Sequence, residues 1–459
     1  MFVSMSMLLL SSSVAMTLAV TNTTTASSTS PISSPMFQLS SDAEFAFILE
    51  EYLSLANNQG ANTGEVLRIA AQIVPGDYES FYLAFYEMAE RIHTIAEGVS
   101  LSKDPVGVRE AHFRAASYYR GADFFLHGNW SDPRIYTLWE QQLTSFNKAI
   151  ALLEPVPGGR FSVQTHSDNV GDYDVIGVFY KALECNDSLP TILVGNGYDG
   201  AQEESYHSAC VEILKRGVNC VTYEGPGQPT VRREQNIGFI PDWWTAASPV
   251  MDYLSARPDV DMSKVALVGV SFGGTLAPRA ASQDDRYSAV VAIDGLKSIQ
   301  QVIEQQLPDE LMALFNSTNS TAFDQVFTYI QGDDTYPTEF RWLIDWSLFA
   351  FKTHSAYDWF SRLGDITMSK EIVANLTMPV FVAKGQDDTL TLQEPEQAYK
   401  MLTTQRANGE ALTHWHEFNT SLGAGEHCSI GAEAQLWQVV MEWLSGVWGD
   451  VSYANSERH

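Results

Sequence analysis

The sequence predicts an α/β protein: a mostly parallel sheet covered on both faces by helices, with a helical domain ahead of it and a helical insert inside it. Three observations carry that prediction. Short apolar runs bounded by turn residues recur along the second two-thirds of the chain, and helical periodicities separate most of them. Ahead of them, 42–153 shows apolar residues at three- and four-residue spacing and no clear strand alternation. One apolar run, 264–270, leads directly through Gly269-Val270-Ser271-Phe272-Gly273 into a further helical stretch. A chain of 459 residues, 45% of them apolar, is long enough for a large domain plus a smaller one with a sizeable core.

Residues 1–20 read as a signal peptide. Apolar runs at 7–10 and 14–20 flank Ser11-Ser12-Ser13, and Thr17-Leu18-Ala19 supplies small residues for cleavage, although the segment lacks Lys and Arg. Residues 21–41 form a Ser/Thr-rich leader. N-x-[S/T] sequons at Asn22, Asn129, Asn186, Asn316, Asn319, Asn375 and Asn419 agree with it, so a secreted glycoprotein is expected, free of the membrane once processed.

The helical domain is expected over 42–155, with 106–124 and 139–152 as its plainest helices. The sheet domain follows over 156–452. Its segments 161–165 and 175–180 alternate like half-buried strands, and 191–194, 219–223, 265–270, 289–293 and 380–383 read as buried ones. Helical patterns at 206–216 and 247–256 lie between them. The insert spans 296–376 and is rich in large aromatics. Most of these are expected to pack in the core, with Trp342 and Trp346 as candidates for the wall of an apolar substrate pocket.

A formal net charge of -29 repels nucleic acid and anionic lipid, which leaves a small molecule as the expected partner. The sequence is compatible with a homodimer. The four cysteines, Cys185, Cys210, Cys220 and Cys428, form no CxxC pair, so no metal is expected, and no cofactor either. One or two disulfides are compatible with an oxidising compartment, and four cysteines allow three pairings.

G-x-S-x-G between a strand and a helix is the setting of a nucleophile elbow, which projects Ser271 Oγ above the sheet. Serine needs a base oriented by an acid, in the chain order Ser, acid, His. Asp388, in the loop after 380–385, is the chosen acid, with Asp387 and Asp294 as alternatives. Among ten histidines, His427 lies in the Gly-rich segment Gly423-Ala-Gly-Glu-His, after the last strand-like segment at 414–418, where the base belongs. His414 and His416 share one strand face and lack a third ligand, and His207 reads as structural. The oxyanion hole is expected from the N–H groups of Phe272 and Tyr198, with Gly197 as the near alternative.

Taken in order, Arg109-Glu-Ala-His-Phe-Arg-Ala-Ala-Ser-Tyr-Tyr-Arg, Gly195-Asn-Gly-Tyr-Asp-Gly, Tyr223-Glu-Gly-Pro-Gly-Gln, the elbow with Ala277-Pro-Arg-Ala, Gly385-Gln-Asp-Asp and Gly425-Glu-His-Cys resemble the α/β-hydrolases related to 2,6-dihydroxypseudooxynicotine hydrolase. They look especially like the fungal polyketide-tailoring, heptaketide-shortening hydrolases. The resemblance runs from about residue 106 to the C-terminus and departs at Pro229, where relatives often carry glycine. It implies a Ser271, Asp388, His427 triad under a helical cap, acting by C–C bond or ester hydrolysis. Acyl transfer or cyclisation is the rival chemistry, and an inactive binding protein the rival class.

Overall fold

The computed structural model describes residues 36–449. The expected signal peptide, most of the Ser/Thr-rich leader and Asn22 lie outside the described residues.

Each apolar run becomes a strand: β1 (Gly159–Ser167), β2 (Gly171–Tyr180), β3 (Leu189–Gly195), β4 (Asn219–Glu224), β5 (Val260–Val270), β6 (Ala289–Ile293), β7 (Val380–Gly385) and β8 (Thr413–Phe418). They form one eight-stranded sheet in the order β1-β2-β4-β3-β5-β6-β7-β8. β1 and β2 make an antiparallel hairpin, and β2 pairs antiparallel with β4. From β4 to β8 the pairing is parallel. The parallel strands β4 and β6 are buried at every residue, as strands covered on both faces must be.

Strand alternation sends successive side chains to two separate cores. Ile192 and Val194 of β3 join Ala266, Val268, Val291 and Phe381 against the C-terminal helix Glu433–Trp448. Leu193 faces the other way, with Val221 and Leu267, into a core that also holds Phe45, Phe81, Phe85 and Tyr118. Those aromatics come from the helices Ala43–Ser54, Tyr78–Gly98 and Pro105–Asp123, so the N-terminal helices and one sheet face share a single apolar interior. Local chemistry starts these helices. Asp42, Asp77 and Asp104 cap the first turns with their carboxylates, and Pro105 occupies a first-turn position that needs no N–H.

A buried ion network ties Pro105–Asp123 to the short helix Pro229–Glu234. Arg233 donates to Asp123 at 2.5 Å and to Nε2 of His127 at 2.8 Å. His127 Nδ1 lies 3.2 Å from the Phe124 carbonyl, a pattern that requires neutral imidazole. Cys210 and Cys220 form a disulfide, so one bond is made where the four cysteines allowed one or two, and Cys185 and Cys428 are free thiols. The insert between β6 and β7 is helical, from Ile299–Glu304 to Lys370–Asn375. Asn129, Asn186, Asn316, Asn319, Asn375 and Asn419 all stand exposed. Among the described residues, no helix is long and apolar enough to cross a membrane.

Candidate active site

The turn after β5 holds Ser271 at φ 57°, in the left-handed region that costs a non-glycine residue strain. Its flanking glycines are sterically required. A Cβ on Gly269 would fall 1.9 Å from the carbonyl oxygen of Gly273, and one on Gly273 would fall 2.7 Å from those of Gly195 and Asn196. The Ser271 N–H donates to the Ile293 carbonyl at 2.8 Å, which pins the turn to β6.

Three side chains from three loops meet there. Ser271 Oγ lies 2.9 Å from Nε2 of His427, and His427 Nδ1 lies 2.9 Å from Oδ2 of Asp388. Asp388 is itself fixed: it accepts from the N–H groups of Leu390 at 2.8 Å and Thr391 at 3.2 Å, and from the Thr391 hydroxyl. Burial alone would raise this carboxyl, but the imidazole and these donors hold it below the ordinary range.

The two rival acids are placed elsewhere. Asp294 ends β6 and spends its carboxylate on the N–H of Gly385, at 2.8 Å, and on that of Cys428. Its nearest approach to His427 Nδ1 is 4.0 Å. Burial, then the negative charge of Asp388, pushes it up to about 7. Asp387 has its N–H on the Gly425 carbonyl at 2.7 Å and its carboxylate beside Gly425, with no bond to the imidazole. His207 is buried with Nδ1 2.8 Å from the Asn58 carbonyl, and His414 and His416 stack against Phe381. Asp294, His427 and Cys428 converge within 4.8 Å, but both ring nitrogens of His427 and both oxygens of Asp294 are already engaged.

Burial would depress His427, yet the adjoining Asp388 carboxylate outweighs it and holds the imidazole well above its ordinary value. A base works only when unprotonated, so kcat/KM should rise with pH as His427 loses its proton. The inflection should lie clearly above the ordinary imidazole value of about 6.5. A pH profile of kcat/KM with its inflection at or below that value would contradict this electrostatic picture.

Phe272 and Tyr198 both offer N–H groups at the elbow. Neither is given to another acceptor among the described residues, whereas the Gly197 N–H is taken by its neighbour Asn196 Oδ1 at 2.7 Å. Gly197 packs directly on the elbow, where a Cβ would come 3.0 Å from that of Ser271. In the loop Gly195-Asn-Gly-Tyr-Asp-Gly the N–H left unclaimed is therefore that of Tyr198 and not that of Gly197.

Of the two insert tryptophans, Trp342 is half-buried and stacks on Phe124 with ring centroids 5.2 Å apart. Trp346 is buried, and its indole N–H donates to the Tyr198 carbonyl at 3.0 Å. A buried indole N–H needs such a partner, and this one ties the insert to the loop 195–200. Trp359 and Ser347 meet the Tyr198 hydroxyl at 2.9 and 2.8 Å. Phe47, on the first helix Ala43–Ser54, brings its ring within 6.2 Å of the His427 ring. Sequence reasoning missed Phe47 because its amphipathic helix carries no local sign of what it will cover.

Residues 248–332, which contain the elbow, match the family described as BAAT / Acyl-CoA thioester hydrolase C terminal. The chain is 26% identical over 423 residues to Hydrolase LUC6 of Fusarium sp, covering 90% of this chain and 99% of that one. It is 26% identical over 408 residues to 20-hydroxy-prefusarin hydrolase FUS2 of Gibberella moniliformis, covering 87% and 95%. The fold is shared with the crystal structure of the 2,6-dihydroxy-pseudo-oxynicotine hydrolase, at TM-score 0.61 and 16% identity over 86% of this chain and 95% of that one. With a parallel sheet, a serine on a strained elbow and full-length likeness to fungal hydrolases, the chain is an α/β-hydrolase, related to those fungal enzymes.

Proposed function

We propose that this enzyme is a serine hydrolase that attacks a carbonyl of a bulky, apolar, polyketide-like secondary metabolite and cleaves a C–C, ester or lactone bond. The hydrogen-bond chain Ser271–His427–Asp388, together with the unclaimed N–H groups of Phe272 and Tyr198, carries the reading. His427 Nε2 takes the Ser271 proton as Oγ bonds to the carbonyl carbon. The oxygen, now negative, is held by Phe272 and Tyr198 N–H. The adduct collapses, the imidazolium protonates the departing carbon or oxygen, and water then releases the acyl group by the same steps in reverse.

The substrate class rests on how the site is covered. The insert reaches the oxyanion loop through Trp346, Ser347 and Trp359, and the first helix reaches the base through Phe47. A covered apolar site excludes water and holds a large substrate in register by its buried surface. The FUS2 relative is named a 20-hydroxy-prefusarin hydrolase, and hydrolysis is the activity proposed here. A fused-ring aryl ketone or naphthyl ester should therefore exceed an acetyl ester in kcat/KM by roughly 10² or more, since remote binding energy is spent at the reacting carbon. Equal or better turnover of the acetyl ester would mean an open groove and sink the substrate assignment.

A further inference from the structure

We propose that Gln228, Trp346 and Arg120 are positioning residues that clamp the oxyanion loop, so that Tyr198 N–H is set to receive the substrate's carbonyl oxygen before any substrate arrives. The inference rests on the serine-hydrolase reading above and adds the machinery that orients its hole.

The carbonyls of four successive loop residues are each held by a side-chain donor. Gln228 Nε2 lies 2.9 Å from the Asn196 oxygen and 3.4 Å from the Gly197 oxygen. Trp346 Nε1 donates to the Tyr198 oxygen at 3.0 Å, and Arg120 Nη2 to the Asp199 oxygen at 2.9 Å. The peptide unit is planar and trans, so its C=O and N–H point in opposite directions. Holding the Gly197 carbonyl therefore fixes the Tyr198 N–H, and holding the Tyr198 carbonyl fixes the far side of the same residue.

The clamps come from three distant parts of the chain. Arg120 ends the Arg109–Arg120 motif on the helix Pro105–Asp123, Gln228 caps the helix Pro229–Glu234, and Trp346 stands in the insert helix Thr338–Phe351. All three donors are buried, at 2%, 0% and 1% exposure, so none can exchange its partner for bulk water. Gln228 is held in turn, because its Oε1 accepts the Gly225 N–H at 3.0 Å. Pro229 next to it locks the first helical residue, so the departure from glycine at this position stiffens the clamp. A donor fixed beforehand costs no reorganisation when charge develops on the oxygen, which is where such groups contribute most to rate.

The test compares kcat, KM and inhibition in wild type, Trp346→Phe and Gln228→Leu, using the fused-ring ester and two inhibitors of the same scaffold. One inhibitor is a trifluoromethyl ketone, which Ser271 converts to an anionic adduct; the other is the matching alcohol, which forms no adduct. Trp346→Phe keeps the ring and loses only the N–H. It should lower kcat by roughly 10- to 100-fold with KM within about twofold. The trifluoromethyl ketone should weaken by the same factor while the alcohol binds as before. Gln228→Leu should act in the same direction; if it fails to fold, Trp346→Phe decides alone. Unchanged kcat in Trp346→Phe, or equal weakening of both inhibitors, would overturn the clamp. A wild type that ignores the trifluoromethyl ketone would instead remove the serine mechanism, and the clamp with it.

Discussion

Ser271→Ala should lower hydrolysis of an aryl ester by about 10⁴- to 10⁶-fold and abolish labelling by a fluorophosphonate, while the fold persists. The magnitude follows from the role: without Oγ no acyl-enzyme forms, and only the oxyanion donors and substrate binding remain. The fold should survive because the side chain's hydrogen bond is to His427 alone, and the turn is anchored by its backbone to Ile293. A second variant separates chemistry from strain. Ser271→Gly is equally dead but relieves the cost of φ 57°, so its Tm should equal or exceed that of the alanine variant. A Ser271→Ala enzyme, free of wild-type contamination, that keeps a rate within tenfold of wild type would remove the serine from the mechanism.

The second large effect concerns the acid. Asp388→Asn should reduce kcat/KM by about 10⁴-fold, because an amide either offers the wrong hydrogen-bond polarity to Nδ1 or fixes the wrong tautomer. Asp387→Asn should be mild, since that carboxylate faces Gly425 and not the imidazole. Asp294→Asn should lie between them: the residue supports the His427 loop through the Cys428 N–H, but its closest approach to Nδ1 is 4.0 Å against 2.9 Å for Asp388. Steady-state kinetics on the three variants decide the order. A severe Asp294→Asn with a mild Asp388→Asn would move the acid to the end of β6.

The strands were legible because parallel strands bury both faces and so appear as unbroken apolar runs, and because the elbow places glycines where no Cβ fits. That Ser271, Asp388 and His427 would meet was legible because the fold imposes their chain order. Tyr198 is chosen over Gly197 from the loop's place after β3, and the physical ground for that choice, the Asn196 side chain on the Gly197 N–H, has no sign in the sequence. The Cys210–Cys220 pairing had no local sign, since spacing alone does not bring a helix segment against β4. Trp346 was visible as an aromatic in an aromatic insert, but periodicity speaks of burial and not of where an indole N–H ends. Phe47 reaches the His427 ring, and Arg120 the Asp199 carbonyl 79 residues on, across lengths of chain over which sequence pattern carries no register.

The core shared by the N-terminal helices and the sheet has a consequence for how the molecule unfolds. Leu193, Val221 and Leu267 on one sheet face belong to the same continuous apolar cluster as Phe45, Phe81 and Phe85 on the helices, together with Ala247, Met251 and Leu276 of the helices Trp244–Ser255 and Gly273–Ala281. A chain shortened to 156–452 would lose the N-terminal part of that cluster, expose the apolar side chains packed against it, and lose solubility before it lost Ser271, Asp388 or His427. Because that cluster is continuous, the helices and the sheet should unfold together, and the stretch that brings Phe47 to His427 is also part of what keeps the enzyme folded.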